Sequence, residues 1–330
     1  MPTEPNQTGE GAPRKVLALA GGVGGAKLAL GLARILPPER LTIVVNTGDD
    51  EEFHGLHVSP DLDTMTYTLS GWYNQETGWG VAGDSFETLA VLKRLGADAW
   101  FNLGDRDFAM HIRRTELLRR GMTLSEVTAE LTGRLGIEHP IVPMSDQPVR
   151  TVLETDAGTL SMQEYFVKHR AVPAVRWIRY AGAENAQPSP GFAGALESAD
   201  AIVFCPSNPH LSVAPILAIP GVRDAISGHT GCRIAVSPIV GGDAVRGPAG
   251  KIMGELGAEV SAVGVAREYR GLCNVLVVDT QDAALADAIA AEGIAPAVTG
   301  TIMQTDDDKI ALAREVMGLA ERAGFPLSRE

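Results

Sequence analysis

A glycine-rich turn near the start of the chain limits the fold more than any other feature. The apolar run Val16–Ala20 ends at four glycines within five positions, namely Gly21, Gly22, Gly24 and Gly25. Helix-forming residues follow at 26–36, and Leu41–Val45 is the next apolar run. Short apolar runs of this kind are typical of buried parallel strands. A strand, glycine turn, helix and strand in this order predict an α/β fold with a Rossmann-like, doubly wound, mostly parallel sheet.

The domain organisation follows from where this pattern stops and resumes. The 330 residues suffice for one large or two modest domains. Apolar runs that end in polar turns return after residue 200, whereas the middle of the chain has helical periodicity and a hairpin pattern around residues 149–162. We predict a Rossmann-like core at 14–105 and 195–330, a helical and hairpin insertion at 106–194, and a disordered polar tail at 1–13.

Charge and composition narrow the class of partner. The net charge is −13, from 28 basic and 41 acidic residues, which argues against nucleic acid and anionic membranes as partners. No apolar run reaches the roughly 18 residues that span a bilayer, and residues 1–13 lack the apolar segment of a signal peptide. The three widely spaced cysteines suit reduced core thiols. We expect a cytoplasmic protein.

The glycine turn predicts a phosphate site, because glycines let backbone N–H groups approach an anion closely. The segment is not a nucleotide P-loop, since Leu28 follows Lys27 where that motif has Ser or Thr. Counted from Gly22, the dinucleotide fingerprint also fails at Lys27, so a kinase or an NAD-dependent dehydrogenase is disfavoured. A tight turn without a ligand is the alternative, but four glycines exceed what a turn needs.

Acidic residues follow the second predicted strand. Asp49 and Asp50 lie within five residues of the end of Leu41–Val45, and Asp61 and Asp63 follow about ten residues later. Thr47, in the same turn, is expected to bind substrate. Ligands of doubly wound sheets bind at the carboxyl ends of strands, and Mg²⁺ prefers carboxylate oxygens. The alternative is a solvated loop and a helix N-terminus, where Asp is common. We expect one of Asp49 or Asp50 to act with one of Asp61 or Asp63.

Other polar residues are open to two interpretations. Asp105 follows an apolar stretch and is either a site residue or a helix cap. Ser207 and Asn208 follow the run at 201–205, where they either bind a base or phosphate or cap the next helix. His54 and His57 bracket a glycine; metal binding is conceivable, but hydrogen-bonding loop histidines are favoured.

The segments taken together resemble one family. GGVGGAKLALGL, VVNTGDDEEFHGLHVSPDLDT, YTLSG, NLGDRD, CPSNP and VSPIVGG, in this order, resemble the 2-phospho-L-lactate transferase family (CofD, called FbiA in actinobacteria) from about residue 15 to 323. The resemblance implies a Rossmann-like homodimer that makes coenzyme F-420. Such a transferase moves a phospho-three-carbon acid from a guanosine-diphosphate-activated donor to the ribityl hydroxyl of the deazaflavin Fo. Mg²⁺ is required, and GMP is released.

The family reaction implies roles for the candidate residues. Mg²⁺ would lie on Asp49 and Asp63 or a neighbour such as Asp61, and Asp50 would accept the hydroxyl proton. The glycine turn, with Lys27, would hold phosphate oxygens, while Ser207 and Asn208 would contact guanosine. Aromatic residues around Tyr67 and Trp72 would face the deazaflavin, unless they are core residues.

Two questions stay open at this point. The transferred acid is derived from lactate, pyruvate or glycerate, and phosphoenolpyruvate is slightly favoured. The rival function is that of a CofD-like regulator that binds nucleotide sugars without catalysis. A Gly-Ser-rich, Arg-containing stretch is expected after the acids of such a protein, but residues 51–55 read EEFHG and PDLDT follows. The transferase is therefore favoured.

Overall fold

The computed structural model describes residues 15–75, 79–245 and 247–322, so the predicted tail at 1–13 lies outside the described residues. The strands are β1 (Val16–Ala20), β2 (Leu41–Val45), β3 (Glu51–Phe53), β4 (Leu56–Val58), β5 (Ile141–Pro143), β6 (Arg150–Thr155), β7 (Gly158–Ser161), β8 (Val175–Ala181), β9 (Ala201–Phe204), β10 (Cys232–Val236), β11 (Ile239–Val240), β12 (Asp243–Ala244), β13 (Val275–Asp279) and β14 (Ala295–Thr299).

The helices alternate with these strands over most of the chain. They are α1 (Gly22–Ile35), α2 (Pro60–Ser70), α3 (Glu87–Arg94), α4 (Asp105–Arg119), α5 (Leu124–Arg134), α6 (Pro190–Ser198), α7 (Ala214–Leu217), α8 (Val222–Ser227), α9 (Ala249–Glu255), α10 (Ala262–Glu268), α11 (Ala286–Ala291) and α12 (Asp306–Arg322). No helix in the described ranges is long and apolar enough to cross a membrane.

Seven strands form a parallel central sheet in the order β14-β13-β10-β9-β1-β2-β5. Alternate residues of β1 enter two different hydrophobic clusters, with Leu17 and Leu19 in one and Val16, Ala18 and Ala20 in the other. The sheet is thus buried on both faces, which explains why its inner strands are mostly apolar. The predicted α/β class with a Rossmann-like parallel sheet is confirmed.

The strand order reverses between β1 and β9. The chain builds outward from β1 to β2 and β5, and then returns to pair β9 with the other side of β1. Connections that leave in opposite directions open a crevice at the carboxyl ends of the two strands, where doubly wound folds bind ligands. The segments after β1, β2 and β9 therefore meet at this point.

The predicted insertion contributes to more than one part of the molecule. Its range of 106–194 contains most of α4, all of α5 and a three-stranded antiparallel sheet in the order β7-β6-β8. The hairpin expected around 149–162 is formed by β6 and β7. One strand of the same range, β5, is the edge strand of the central sheet beside β2. The boundary between core and insertion therefore stays a prediction.

Candidate active site

Asn46 lies at the centre of the polar groups at the switch point. It is the first residue after β2 and is fully buried. Its Nδ2 donates to Asp49 Oδ1 at 3.2 Å and to Asp61 Oδ2 at 2.9 Å, and its Oδ1 accepts from the Gly48 N–H at 2.8 Å. One amide thus holds a carboxylate from the loop after β2 and a carboxylate from the first turn of α2.

The two carboxylates repel each other. Burial is the main reason that the pKa of Asp49 is raised well above its usual value, and the charges of Asp61 and Asp50 add to the effect. Burial also raises the pKa of Asp61 to about 6, with a smaller contribution from Asp50. Neither Asp49 nor Asp61 has an ion-pair partner among the residues that the structure describes. Crowded carboxylates without a countercharge are suited to bind a cation.

Asp63, the other predicted ligand on α2, has a different environment. Both of its oxygens accept hydrogen bonds from the buried guanidinium of Arg114 on α4, with 3.2 Å between Nη1 and Oδ2 and a second contact between Nη2 and Oδ1. The Nδ1 atom of His111 lies 3.7 Å from Asp63 Oδ2. Because Asp63 already carries a countercharge, the geometry favours Asp61 as the partner of Asp49, a choice that sequence reasoning leaves open.

Asp50 is held by the segment that leads into α2. Its Oδ1 accepts from Ser59 Oγ at 2.6 Å, and its Oδ2 lies 3.0 Å from His57 Nε2. The Asp50 N–H donates to the Thr47 carbonyl at 3.2 Å, which closes the turn after β2. Of the two histidines that bracket Gly55, only His57 contacts a candidate site residue; its contact is a hydrogen bond, as the sequence favours.

The glycine turn is the start of α1 and not a loop before it. α1 begins at Gly22, four residues earlier than predicted. A Cβ on Gly24 would lie 2.3 Å from the Pro206 carbonyl, and one on Gly25 would lie 2.7 Å from Ser207 Oγ. Gly22 has a φ of 64°, in the left-handed region that glycine tolerates. Close packing against the segment after β9 thus accounts for most of these glycines.

The first N–H groups of this turn bind protein atoms. Gly22 N–H donates to Asp61 Oδ1 at 2.8 Å, and Gly21 N–H donates to Ser207 Oγ at 3.1 Å. The anion at the helix N-terminus is therefore Asp61 itself. Residues 22–24 are half-exposed, and helix N-termini offer further N–H groups that lack intrahelical partners. Phosphate binding by this turn stays a prediction.

Four further candidates make contacts within the protein. Ser207 Oγ also donates to the Gly21 carbonyl at 2.9 Å, and Asn208 Oδ1 accepts from the N–H groups of His210 and Leu211. Lys27 Nζ donates to the Met303 carbonyl at 2.7 Å. Thr47 is buried beside Asn46. For Asn208, these contacts favour the capping alternative.

Asp105 is placed as a cap rather than at the switch point. Its carboxylate accepts from Ser85 Oγ and from the N–H groups of Glu87 and Thr88, at the start of α3. These hydrogen bonds, the one from Ser85 first, lower the pKa of Asp105 to about 2. The geometry favours capping over substrate binding for this residue.

A cavity of about 320 Å³ is lined in part by Asp107 of α4. Its lining comes from the segment after α2 and from the start of α4: Asn74, Trp79, Gly80, Val81, Asp84, Phe86, Asn102 and Asp107. The rings of Trp79 and Phe86 are partly exposed, with centroids 6.4 Å apart. Burial raises the pKa of Asp107 to about 6, and Tyr67 and Asp63 lie close to it. Tyr67 itself is buried, and neither it nor Trp72 lines this cavity.

Sequence reasoning missed Asn46, Ser59 and Arg114. Asn46 had a usable signal, because it is the first polar residue after a buried strand. Ser59 is the residue before α2 but bonds Asp50 instead of capping the helix. Arg114 is 51 residues from Asp63, and no local pattern marks such a pair.

Asp49 and Asp61 fit a Mg²⁺ site whose remaining coordination positions are filled by other ligands. In the described ranges, no group of three or more His, Cys, Asp or Glu side chains is arranged to hold a metal. Mg²⁺ in phosphoryl-transfer sites is commonly held by one or two carboxylates, with waters and substrate phosphates filling the other positions. Asp49 and Asp61 would be those carboxylates.

Ionisable groups at the switch point of a Rossmann-like sheet are typical of α/β proteins that bind nucleotides and other phosphate compounds. Comparison with known proteins agrees with this class. The model of the family described as 2-phospho-L-lactate transferase CofD matches residues 16–312. The chain belongs to this family of transferases.

Curated relatives carry two names. A phosphoenolpyruvate transferase from Streptomyces griseus is 44% identical, and one from Streptomyces coelicolor is 41% identical; each match covers 93% of this chain and 98% of the relative. A 2-phospho-L-lactate transferase from Methanopyrus kandleri is 40% identical over the same shares. A solved UPF0052-family protein from Bacillus halodurans has a TM-score of 0.61 at 15% identity, covers 92% of this chain and 99% of its own, and supports the fold.

Proposed function

We propose that this protein is a Mg²⁺-dependent transferase of coenzyme F-420 biosynthesis. It moves a phospho-three-carbon-acid unit from a guanosine-diphosphate-activated donor to the ribityl hydroxyl of the deazaflavin Fo and releases GMP. The observation that carries the proposal is the meeting of Asp49, Asp50 and Asp61 at the switch point of a CofD-family sheet. We also propose a cytoplasmic homodimer, as the family resemblance implies.

In this reaction the protein mainly positions the reactants and neutralises charge. A P–O bond forms between the acceptor hydroxyl oxygen and the phosphorus of the phospho-acid, and the bond from that phosphorus to the GMP oxygen breaks. When bound, Mg²⁺ would neutralise charge on the diphosphate. Asp49 and Asp61 hold the negative charge that attracts the cation, and Asn46 fixes both. Asp50 takes the proton of the hydroxyl.

The cavity beside α4 is the best candidate for the acceptor ring. Trp79 and Phe86 offer aromatic surface to a flat heterocycle, and Asp84 and Asp107 offer hydrogen-bond acceptors. We therefore propose that Trp79 and Phe86, rather than Tyr67 and Trp72, contact the deazaflavin ring.

We expect Trp79→Ala to raise KM for Fo about tenfold while KM for the donor stays unchanged. Trp177→Ala, which replaces an exposed residue of β8, is the control. Equal KM values for Fo in wild type and Trp79→Ala would place the ring elsewhere.

The transferred acid is proposed to be phosphoenolpyruvate. Four relatives at 40–44% identity are named phosphoenolpyruvate transferases, although one at 40% is named for 2-phospho-L-lactate. Phosphoglycerate is the third acid to test. Competition among the three acids in one assay tests this choice.

A coupled assay tests the proposal. The protein is mixed with Fo, GTP, Mg²⁺ and a guanylyltransferase that accepts all three phospho-acids, which are offered in competition, and products are read by mass. A Mg²⁺-dependent Fo adduct is expected, and its mass names the acid. Absence of adduct, with donor formation demonstrated, would contradict the transferase. Preferential binding of a UDP-sugar over Fo would then point to the nucleotide-sugar-binding regulator.

A further inference from the structure

The proposed base, Asp50, has a pair of hydrogen-bonding partners that none of the family roles uses. Ser59 Oγ lies 2.6 Å from Oδ1, and His57 Nε2 lies 3.0 Å from Oδ2. Each carboxylate oxygen therefore has its own partner from the same short segment. Asp50 and Ser59 are buried, whereas about 25% of the His57 side chain is exposed.

The local fold explains why both partners reach one carboxylate. β4 ends at Val58, and alternate residues of an extended segment point to the same side, so His57 and Ser59 share a face. The His57 backbone is fixed as well. Its N–H donates to Thr115 Oγ1 at 2.8 Å, and its carbonyl accepts from Arg114 at 3.4 Å. The ring is thus presented to Asp50 by a backbone that α4 holds in place.

Asp50 needs such support because of its neighbours. The charges of Asp49, Asp50 and Asp61 act on one another at this site. Without partners, the Asp50 carboxylate would rotate to reduce this repulsion, and its oxygens would lose a fixed direction toward an incoming hydroxyl. Proton transfer depends on that direction, since a base must lie within hydrogen-bond reach of the proton that it accepts.

We propose that His57 is a positioning residue of the transferase: its Nε2–H donates to Asp50 Oδ2 and, together with Ser59, fixes the plane of the carboxylate that receives the acceptor's proton. The inference rests on the proposed function. A carboxylate only accepts hydrogen bonds, so the hydrogen of a neutral His57 must be on Nε2. His57 acts through Asp50 and contacts neither substrate in this role.

Kinetics of four variants test the role in the coupled assay. His57→Ala is expected to lower kcat by about 10–100-fold, the usual effect of losing a group that orients a reacting ligand, with both KM values within about twofold of wild type. His57→Gln retains an N–H donor and is expected to recover part of kcat. Added imidazole is expected to raise kcat of His57→Ala, because the ring site is partly exposed. Ser59→Ala is expected to lower kcat in the same way, and His54→Asn, in the exposed turn of the hairpin, is the control.

A second measurement needs no activity. Nitrogen-15 NMR of the wild-type protein reports which nitrogen of His57 carries hydrogen, with His57→Gln to assign the signal. The proposal expects hydrogen on Nε2. Hydrogen on Nδ1 alone, or a His57→Ala variant with wild-type kcat, overturns it. If the wild type forms no Fo adduct, the proposed function fails, and the NMR result still decides whether His57 donates to Asp50.

Discussion

Asp49 and Asp61 carry like charges, yet the fold holds both against one amide group, that of Asn46. Burial raises the pKa of each carboxyl group, with added repulsion from Asp61 and Asp50 on Asp49 and from Asp50 on Asp61, so each costs folding free energy at neutral pH. Local strain of this kind is commonly kept at functional sites, where it serves binding or catalysis. The loss of stability caused by burying Asp49 and Asp61 together therefore supports a functional role for these two residues.

Replacing Asp49 by Asn should separate stability from activity. Asn keeps the oxygen that accepts from Asn46 but removes one of the repelling charges. We expect Asp49→Asn to raise the free energy of unfolding by about 1 kcal/mol, the scale of a one-unit pKa shift, and to lower turnover at limiting Mg²⁺ by about 100-fold. Urea denaturation and the coupled assay measure the two effects. Asp287→Asn, on exposed α11, is the control; full turnover in Asp49→Asn would remove this residue from the metal site.

Replacing Asp63 by Asn should change the free energy of unfolding in the opposite direction to Asp49→Asn, although Asp63 lies only two residues from Asp61. Its carboxylate neutralises the buried Arg114, and removing one partner of a buried ion pair leaves an uncompensated charge. We expect Asp63→Asn to lower the free energy of unfolding by about 3–5 kcal/mol. Denaturation curves of Asp63→Asn and Asp49→Asn measured side by side check the contrast. A stable Asp63→Asn variant that loses only Mg²⁺-dependent turnover would return Asp63 to the metal site.

At the scale of elements, the buried strands and long helices were predictable from sequence. β1 and β9 are continuous apolar runs, and β2 and β13 contain one polar residue each, because both faces of the sheet are covered. β14, with the sequence APAVT, is an edge strand that is half-exposed, so its pattern is weak. β5 is only three residues long, too short for any periodicity.

The candidate site was predictable only in part, for a related reason. The loop that holds Asp49 and Asp50 was predictable because it follows a buried strand, and ligands of doubly wound sheets bind at the carboxyl ends of the strands. Which acid on α2 is its partner depends on α4, since Arg114 neutralises Asp63, whereas Asp61 has no ion-pair partner in the part of the chain that the structure describes. Contacts between elements far apart in sequence leave no local pattern. The glycines, read as a phosphate cradle, are also required by close packing of α1 on the segment after β9.

The packing of α4 on α2 also predicts a dependence of stability on pH. Burial lowers the pKa of His111 from 6.5 to about 4, and its Nδ1 lies 3.2 Å from the Arg114 guanidinium, which suits a neutral ring. As the pH falls from about 6.5 toward 4, the unfolded chain binds a proton that the fold excludes, so this contribution to stability is lost. The loss approaches about 3 kcal/mol.

Comparison of wild type with His111→Asn isolates this effect. Asn offers an oxygen near the position of Nδ1 but does not titrate. We expect the stability of wild type relative to His111→Asn to decrease between pH 7 and pH 4.5, as measured by urea denaturation at several pH values. A difference that stays constant over this range would contradict a buried neutral His111. The comparison is needed because Asp61 and Asp107, with raised pKa values of about 6, act in the opposite direction.

For the whole molecule, the net charge of −13 opposes the binding of an anionic donor. A divalent cation between Asp49 and Asp61 would reverse the sign of the potential where the diphosphate must lie. The same cation would relieve the repulsion that costs the fold stability. We therefore expect metal binding and global stability to be coupled, and that coupling can be measured without substrate.

We expect Mg²⁺ at millimolar concentration to raise the melting temperature by a few degrees at pH 8, because a ligand that binds only the folded state stabilises it. The rise should be much smaller at pH 5, where Asp61, with a pKa of about 6, is largely protonated and cannot bind the ion. Thermal unfolding with and without Mg²⁺ at both pH values measures the effect. Asp49→Asn should abolish the rise at pH 8 while Asp287→Asn keeps it. The same rise in Asp49→Asn as in wild type would show that Mg²⁺ stabilises the protein from another site.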